Sequence, residues 1–212
     1  MLFKDRNDAG RQLGVALYKF KEAPKTLVIG LPRGGVVVAY EVAKALHLPL
    51  DVIVPRKIGA PDNPELAIGA IAGDTVQLDQ ALIAHLQVSP SFIEEEIVAE
   101  RKEAERRLAL FRKGKPSQDF TGFTILLVDD GIATGSTMRA SIAYLKKMKA
   151  KHIVVAVPVG PPDTLAELKE TVDEVICPYT PSSFYAVGQF YQNFPQTQDS
   201  EVIQLLTRDI NS

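Results

Sequence analysis

Cysteine and long apolar runs are nearly missing from the chain, and each absence excludes a class of protein. The 212 residues include a single cysteine, Cys177, so no internal disulfide can form; this favours a reducing compartment. The segment MLFKDRNDAG lacks the apolar run of a secretory signal, and no stretch is long enough to cross a bilayer. We therefore expect a soluble, cytoplasmic protein with no membrane partner.

An excess of one charge is missing as well. The chain carries 24 lysines and arginines against 26 aspartates and glutamates, a net charge of -2, which argues against a protein that coats nucleic acid. Hydrophobic residues make up 46% of the chain, which is enough for a core, and the length suits one α/β domain with a decorated edge. We expect a single domain over residues 1–212 and no nucleic-acid partner.

Short apolar runs alternate with helical patterns along most of the chain. The runs that predict strands are TLVIG, LDVIVPRK, ELAIGAIAG, FTILLVDD, KHIVVAVPVG and VDEVICP. Helices are predicted over 6–20, after Gly34-Gly35, over 136–149 and over 163–170. This alternation predicts an α/β fold, a mostly parallel sheet with helices on both faces. Such sheets bind ligands beyond the carboxyl ends of their strands, where LPRGG, VPRKIG and VDDGIATGST all fall.

The segment 89–115, SPSFIEEEIVAERKEAERRLALFRKGK, predicts a long inserted helix with many charges. Ser91 and Glu94 have the spacing of a capping box, and the apolar face is narrow. Such a helix leans either on its own domain or on a second subunit. The interleaving of acids with bases disfavours contact with nucleic acid.

The most informative stretch is TILLVDDGIATGST, residues 124–137. Its small residues allow backbone N–H groups to converge on an oxyanion, its hydroxyl side chains add donors, and the following helix adds a partial positive charge. The residues of this predicted phosphate loop are Gly131, Ile132, Ala133, Thr134, Gly135, Ser136 and Thr137. The spacing is not that of a P-loop, which has four residues between its glycines and then a lysine.

Two carboxylates, Asp129 and Asp130, directly precede this loop and would repel a bound phosphate. This acid pair is tolerable if it binds the hydroxyl groups of a sugar that carries the phosphate, with Mg²⁺ nearby to absorb charge. The alternative is an acid pair that ends the strand by solvation or caps the helix. The attached phosphate loop favours the sugar.

Two further segments bring positive charge to the same predicted edge. In LPRGG, Arg33 is followed by Gly34 and Gly35, so a guanidinium and backbone amides can both approach an anion closely. A tight strand-to-helix turn is the alternative. In VPRK, Arg56 and Lys57 add two cations unless they are an ordinary surface pair.

The stretch LLVDDGIATGST resembles the ribose-phosphate signature of type I phosphoribosyltransferases, and the likeness extends more loosely over residues 26–177. The whole sequence, including RKIGAPDNPELAIGAI and FYAVGQFYQNF, is similar to bacterial phosphoribosyltransferases of unknown acceptor. The resemblance implies transfer of the phosphoribosyl group of phosphoribosyl diphosphate to a nitrogenous base or similar nucleophile, with release of diphosphate and with Mg²⁺ as cofactor.

The resemblance also implies roles for individual residues. Asp129 and Asp130 would hold the ribose hydroxyls, and residues 132–137 would hold the 5-phosphate. Mg²⁺ would bind through the substrate, with Asp129 and Asp130 as candidate ligands. The diphosphate would bind at the 33–34 turn, often through a cis peptide in this family, and at 56–57. The catalytic residues implied are Arg33, Lys57 and Asp130.

Two departures from the family pattern bear on the acceptor. Ala133 stands where hypoxanthine-guanine members carry an acid, which disfavours a 6-oxopurine. Adenine members share an alanine there and a pair like Arg56-Lys57, but the continuation IGAPDNPE differs from theirs. Glu65 has two interpretations, a general base or a strand-edge residue turned to solvent.

A variable hood covers the acceptor in this family, and we expect it in the C-terminal segment 178–212. Phe184 and Tyr185 are aromatic residues of this segment that could stack on a flat base; with Phe190 and Tyr191 they could equally fasten the C-terminal tail. Ile132 lies where the family packs an aliphatic residue against the base.

A non-catalytic protein of the same fold, which binds the donor or a nucleotide and regulates a partner, is the alternative function. Arg33 and Lys57 favour catalysis, since a nucleotide binder has less need of cations for diphosphate. Dimers are common in the family, so we expect a homodimer with the helix over 91–112 as a candidate interface.

Overall fold

The computed structural model describes residues 2–113 and 119–208. The helices and strands in chain order are α1 (Arg6–Ala16), β1 (Thr26–Gly30), α2 (Gly34–Leu46), β2 (Leu50–Val52), β3 (Arg56–Ala60), β4 (Asn63–Ala72), β5 (Thr75–Leu78), α3 (Gln80–Leu86), α4 (Pro90–Arg112), β6 (Thr124–Val128), α5 (Ser136–Lys147), β7 (His152–Ala156), α6 (Pro162–Lys169), β8 (Glu174–Ile176) and α7 (Asp199–Thr207). Gly114 and Lys115 of the predicted inserted segment, and residues 209–212 of the predicted tail, lie outside the described residues.

A five-stranded parallel sheet forms the centre of the molecule, in the order β2-β1-β6-β7-β8. Side chains alternate between its faces: Val28 packs with α1 and α2, while Leu27 and Ile29 pack with α5 and α6. The predicted α/β fold with helices on both faces is therefore confirmed.

A second sheet, antiparallel in the order β3-β4-β5, corrects the strand assignments over 50–73. LDVIVPRK is not one strand, because β2 ends at Val52 and β3 begins at Arg56 in the other sheet. Pro55 lies between them and has no N–H to donate to a ladder. ELAIGAIAG belongs to β4 of this small sheet rather than to the parallel one.

Helix α4 lies against β3 and α7, and its own residues Ala104 and Phe111 are buried. The helix was expected, but its predicted cap is wrong. The N-cap is Ser89, whose hydroxyl accepts from the N–H of Phe92 at 3.3 Å. Pro90 explains the shift, because proline suits the first position of a helix, where an N–H has no intrahelical acceptor.

The N-terminal segment contacts the segment that precedes α7. Phe3 forms a parallel bridge with Tyr191, and both are buried in a cluster with Phe190. Helix α7 follows and contacts α2 and α4; the sequence patterns did not predict it. Among the described helices, none has the length and apolar character needed to span a membrane.

Candidate active site

The acid pair and the arginine-glycine turn (residues 32–35) are adjacent because β1 and β6 are neighbouring parallel strands. Gly30 pairs with Val128, and the N–H of Leu31 donates to the carbonyl of Val128 at 2.9 Å. A Cβ built on Gly35 would stand 2.6 Å from Oδ1 of Asp129. Two motifs that lie about a hundred residues apart in the chain thus share one edge of the sheet, as predicted.

The carboxylate of Asp130 is held by Arg6, a residue that the motif analysis missed. Nε of Arg6 donates to Oδ2 of Asp130 at 2.7 Å, and NH1 donates to the carbonyl of Pro195 at 2.7 Å. The guanidinium also lies over the ring of Phe194, 3.7 Å from its centroid. The Tyr191 hydroxyl donates to the backbone carbonyl of Asp130. One end of α1 and the C-terminal tail therefore converge on the second acid.

Burial of the acid pair changes its titration. Burial, and then the neighbouring charge of Asp130, raise the pKa of Asp129 well above its ordinary value. Burial also raises the pKa of Asp130, although the charge of Arg6 and its hydrogen bond oppose that change. Oδ1 of Asp129 accepts from the N–H of Asp130 at 2.8 Å, and Oδ2 of Asp130 accepts from Arg6.

The phosphate loop has the geometry of an anion site at the start of α5. Gly135 caps the helix in a left-handed conformation, φ 75°, which glycine adopts without a steric penalty. The carbonyls of Ala133 and Thr134 accept from Thr164 and Arg139, at 2.9 and 2.6 Å. With the carbonyls held in this way, the first N–H groups of α5, which have no intrahelical acceptor, are left to bind an anion.

The predicted cations Arg33, Arg56 and Lys57 differ in their ion-pair partners and in their exposure. The Pro32-Arg33 peptide is cis, as the resemblance implied, and NH1 of Arg33 lies 3.6 Å from Oδ1 of Asp199 at the start of α7. Arg56 is paired with Glu100 of α4 at 2.6 Å. Lys57 is exposed.

An open cavity of about 500 Å³ lies between the β3–β4 hairpin and α4. Arg56, Lys57, Glu65 and Thr137 are among its lining residues. The structure therefore brings the predicted cation pair to the end of the phosphate loop. Glu65 is exposed at this cavity, which leaves both of its interpretations in place.

The aromatic residues of 181–194 divide into two groups. Phe190 and Tyr191 are 7% and 6% exposed and pack in the cluster that joins the chain ends, which matches the tail-fastening interpretation. Phe184 stacks on Phe190 with centroids 5.1 Å apart, while Tyr185 is 88% exposed. Acceptor binding by Phe184 and Tyr185 stays a prediction.

Val187, in the segment expected to form the hood, lies against Gly131 of the phosphate loop. A Cβ built on Gly131 would stand 2.5 Å from Cγ1 of Val187. Ile132 is 3% exposed, packs in the core, and donates its N–H to the carbonyl of Val159 at 3.0 Å.

The acid pair suits a cation that the substrate carries rather than a closed protein site. In residues 2–113 and 119–208, no group of three or more His, Cys, Asp or Glu side chains is arranged to hold a metal. Mg²⁺ usually keeps several waters and binds through one or two carboxylates together with substrate phosphates. Asp129 and Asp130 are the residues that would hold such an ion together with the substrate.

A parallel α/β sheet with an acid pair, a phosphate loop and an arginine-glycine turn at its carboxyl edge defines a type I phosphoribosyltransferase fold. The family model "Phosphoribosyl transferase domain" matches residues 16–194, and the chain belongs to this family.

Similar proteins agree with this assignment. Two Mycobacterium tuberculosis strains each have a protein named "Putative phosphoribosyl transferase" that is 46% identical over 211 residues, which is 98% of this chain and 47% of that protein. The chain thus spans about half the length of these relatives. The crystal structure of TT1426 from Thermus thermophilus is 38% identical, with a TM-score of 0.81 over 97% of this chain and 98% of that one.

Proposed function

We propose that the chain transfers the phosphoribosyl group of phosphoribosyl diphosphate to a nitrogen nucleophile, with a nitrogenous base as the acceptor class. One observation carries the proposal: an acid pair, a helix start capped by Gly135 and an arginine-glycine turn lie side by side at one edge of the sheet. This arrangement suits a sugar that carries a phosphate at one end and a diphosphate at its anomeric carbon.

Each element has a defined task in the proposed reaction. The acid pair accepts hydrogen bonds from the ribose hydroxyls, and the phosphate loop binds the 5-phosphate. Mg²⁺, when bound with the donor, would neutralise diphosphate charge. The bond between the anomeric carbon and the diphosphate oxygen breaks, a bond to the acceptor nitrogen forms with inversion, and that nitrogen loses its proton.

The transition state is oxocarbenium-like, so the protein must stabilise the departing diphosphate. Arg33 at the turn and the exposed Lys57 at the cavity are the cations suited to this task. Arg56 is paired with Glu100 and would have to exchange that partner for the diphosphate. Ala133 cannot accept a proton, which disfavours a 6-oxopurine acceptor.

A regulatory protein that binds the donor or a nucleotide without turnover is the second candidate. The observation in its favour is that Arg33 and Arg56 both lie against protein carboxylates, Asp199 and Glu100. Such a protein needs the sugar and phosphate contacts but no free cations for a leaving diphosphate.

Two measurements separate these candidates. Calorimetry with phosphoribosyl diphosphate and Mg²⁺ should show binding that the double variant Asp129→Asn, Asp130→Asn abolishes; unchanged affinity in that variant would exclude this site. Incubation with the donor and a panel of purine, pyrimidine and other nitrogen bases should then release diphosphate for at least one of them. Tight binding without release across the panel would favour the regulatory protein.

We also propose a cytoplasmic homodimer with α4 at its interface. Val98 and Leu110 of that helix are 66% and 39% exposed, which is apolar surface that a second subunit could cover. Light scattering of the purified chain tests the dimer, and a monomer at micromolar concentration would exclude it.

A further inference from the structure

Arg6 lies where the two halves of the proposed donor site meet. Its Nε is 2.7 Å from Oδ2 of Asp130, and a Cβ built on Gly34 would stand 2.6 Å from the same nitrogen. The guanidinium therefore touches both the carboxylate assigned to the sugar and the turn assigned to the diphosphate. Gly34 leaves the space that allows this approach.

The side chain of Arg6 is largely buried together with the carboxylate that opposes its charge. Its side chain is 10% exposed and that of Asp130 is 15% exposed. A buried guanidinium is costly unless its charge is compensated and its donors are satisfied. Asp130 supplies the opposite charge, and the carbonyl of Pro195 and the ring of Phe194 contact the same guanidinium.

Arg6 stands outside the segment that matches the family model, which begins at residue 16. Pro195 lies just past the end of that match at residue 194. The arginine that contacts the second acid, and the carbonyl that contacts this arginine, thus both lie outside the matched segment.

We propose that Arg6 is a positioning residue of the donor site, which compensates the charge of Asp130 and aims its second oxygen at the ribose hydroxyls. The inference rests on the proposed function. Two adjacent carboxylates repel each other and repel an incoming phosphate and diphosphate. The positive charge of Arg6 offsets the charge of an ionised Asp130, and the hydrogen bond fixes Oδ2 of Asp130 in place.

Three substitutions test the role by calorimetry with phosphoribosyl diphosphate and Mg²⁺. Arg6→Gln should weaken donor binding by about tenfold or more, because it removes a charge-assisted hydrogen bond. Arg6→Lys keeps the charge and should recover most of that loss. Arg11→Gln makes the same change of charge on α1 at a side chain that is 56% exposed, and should leave affinity within about twofold of the wild type.

The outcomes separate this inference from the proposed function. Donor binding by the wild type with equal binding by Arg6→Gln would overturn the role of Arg6 and leave the function standing. Failure of Arg6→Lys to restore binding would overturn charge compensation. Absence of binding by the wild type would remove both proposals.

A folding control covers the case in which Arg6→Gln does not fold. The double variant Arg6→Gln, Asp130→Asn removes both charges together and leaves two neutral groups that can hydrogen-bond. It should fold, with a melting temperature above that of Arg6→Gln, if compensation of Asp130 is what Arg6 supplies. A double variant that also fails to fold would show that Arg6 only fastens α1 to the tail, which overturns the inference.

Discussion

Gly34 lies so close to Asp130 that a Cβ added to the glycine would overlap Oδ2 of the carboxylate. The glycine begins α2, and its backbone lies outside the left-handed region that favours glycine. Space, rather than backbone conformation, is therefore the reason for glycine at this position.

Gly34→Ala should destabilise the protein and abolish donor binding. Alanine favours a helix more than glycine does, but here the methyl group must displace Asp130 and Arg6, an overpacking cost of about 1–3 kcal/mol. Urea unfolding measures the stability and calorimetry the binding. Gly160→Ala is the control, because its Cβ would approach Leu165 no closer than 3.2 Å; equal effects of the two variants would contradict the argument.

Asp129→Asn should stabilise the protein in the absence of ligand while removing donor binding. The raised pKa of Asp129 means that the folded state prefers the protonated carboxyl. The stabilisation by the protonated Asp129 carboxyl is therefore fully present at low pH and is lost as pH rises from about 4 upward. Asparagine mimics the neutral form, so the variant should gain about 1 kcal/mol or more near neutral pH. Melting temperatures between about pH 4.5 and pH 8 measure this, and a gain that does not grow with pH would contradict it.

Asp130→Asn should stabilise the protein less than Asp129→Asn does, because the charge and hydrogen bond of Arg6 oppose the rise in the pKa of Asp130. It leaves the buried guanidinium of Arg6 with the carbonyl of Pro195 and the ring of Phe194 but without a counter-charge. We expect the free energy of unfolding of Asp130→Asn to lie about 1–3 kcal/mol below that of Asp129→Asn. The comparison of the two neighbouring substitutions by urea unfolding needs no ligand. Equal shifts of the same sign would show that Arg6 does not distinguish the two acids.

Asp199→Asn should raise the affinity for the donor by about two- to fivefold, because Coulomb attraction holds Arg33 toward α7. Oδ1 of Asp199 lies 3.6 Å from NH1 of Arg33, and among the described residues it is a buried atom with no hydrogen-bond partner. The matched control is Glu201→Gln, an exposed acid in the first turn of the same helix. Calorimetry at low salt should separate the two variants; an unchanged or weaker affinity for Asp199→Asn would mean that Asp199 does not compete with the diphosphate.

Local patterns predicted the central sheet and the position of the motifs at its carboxyl edge. The apolar runs at β1, β6 and β7 are strands, and the loop of small residues after Asp130 caps α5 through Gly135. These features depend on neighbouring residues, namely the alternation of buried side chains and the conformational freedom of glycine. The separate β3–β4–β5 sheet was missed because a strand's composition does not say which sheet it joins, and only Pro55 marked the break.

The sequence by itself determined the parallel α/β sheet with the acid pair, the loop of small residues and the arginine-glycine turn at its carboxyl edge, because each is written in contiguous residues. The Arg56-Lys57 pair instead begins β3 of the antiparallel sheet. Tertiary structure alone decided which groups surround the acids: Arg6 on Asp130, Tyr191 on its carbonyl and Asp199 near Arg33. These pairs join residues more than sixty positions apart. No local period encodes such a contact, since it forms only when the sheet, α1 and the C-terminal tail pack together.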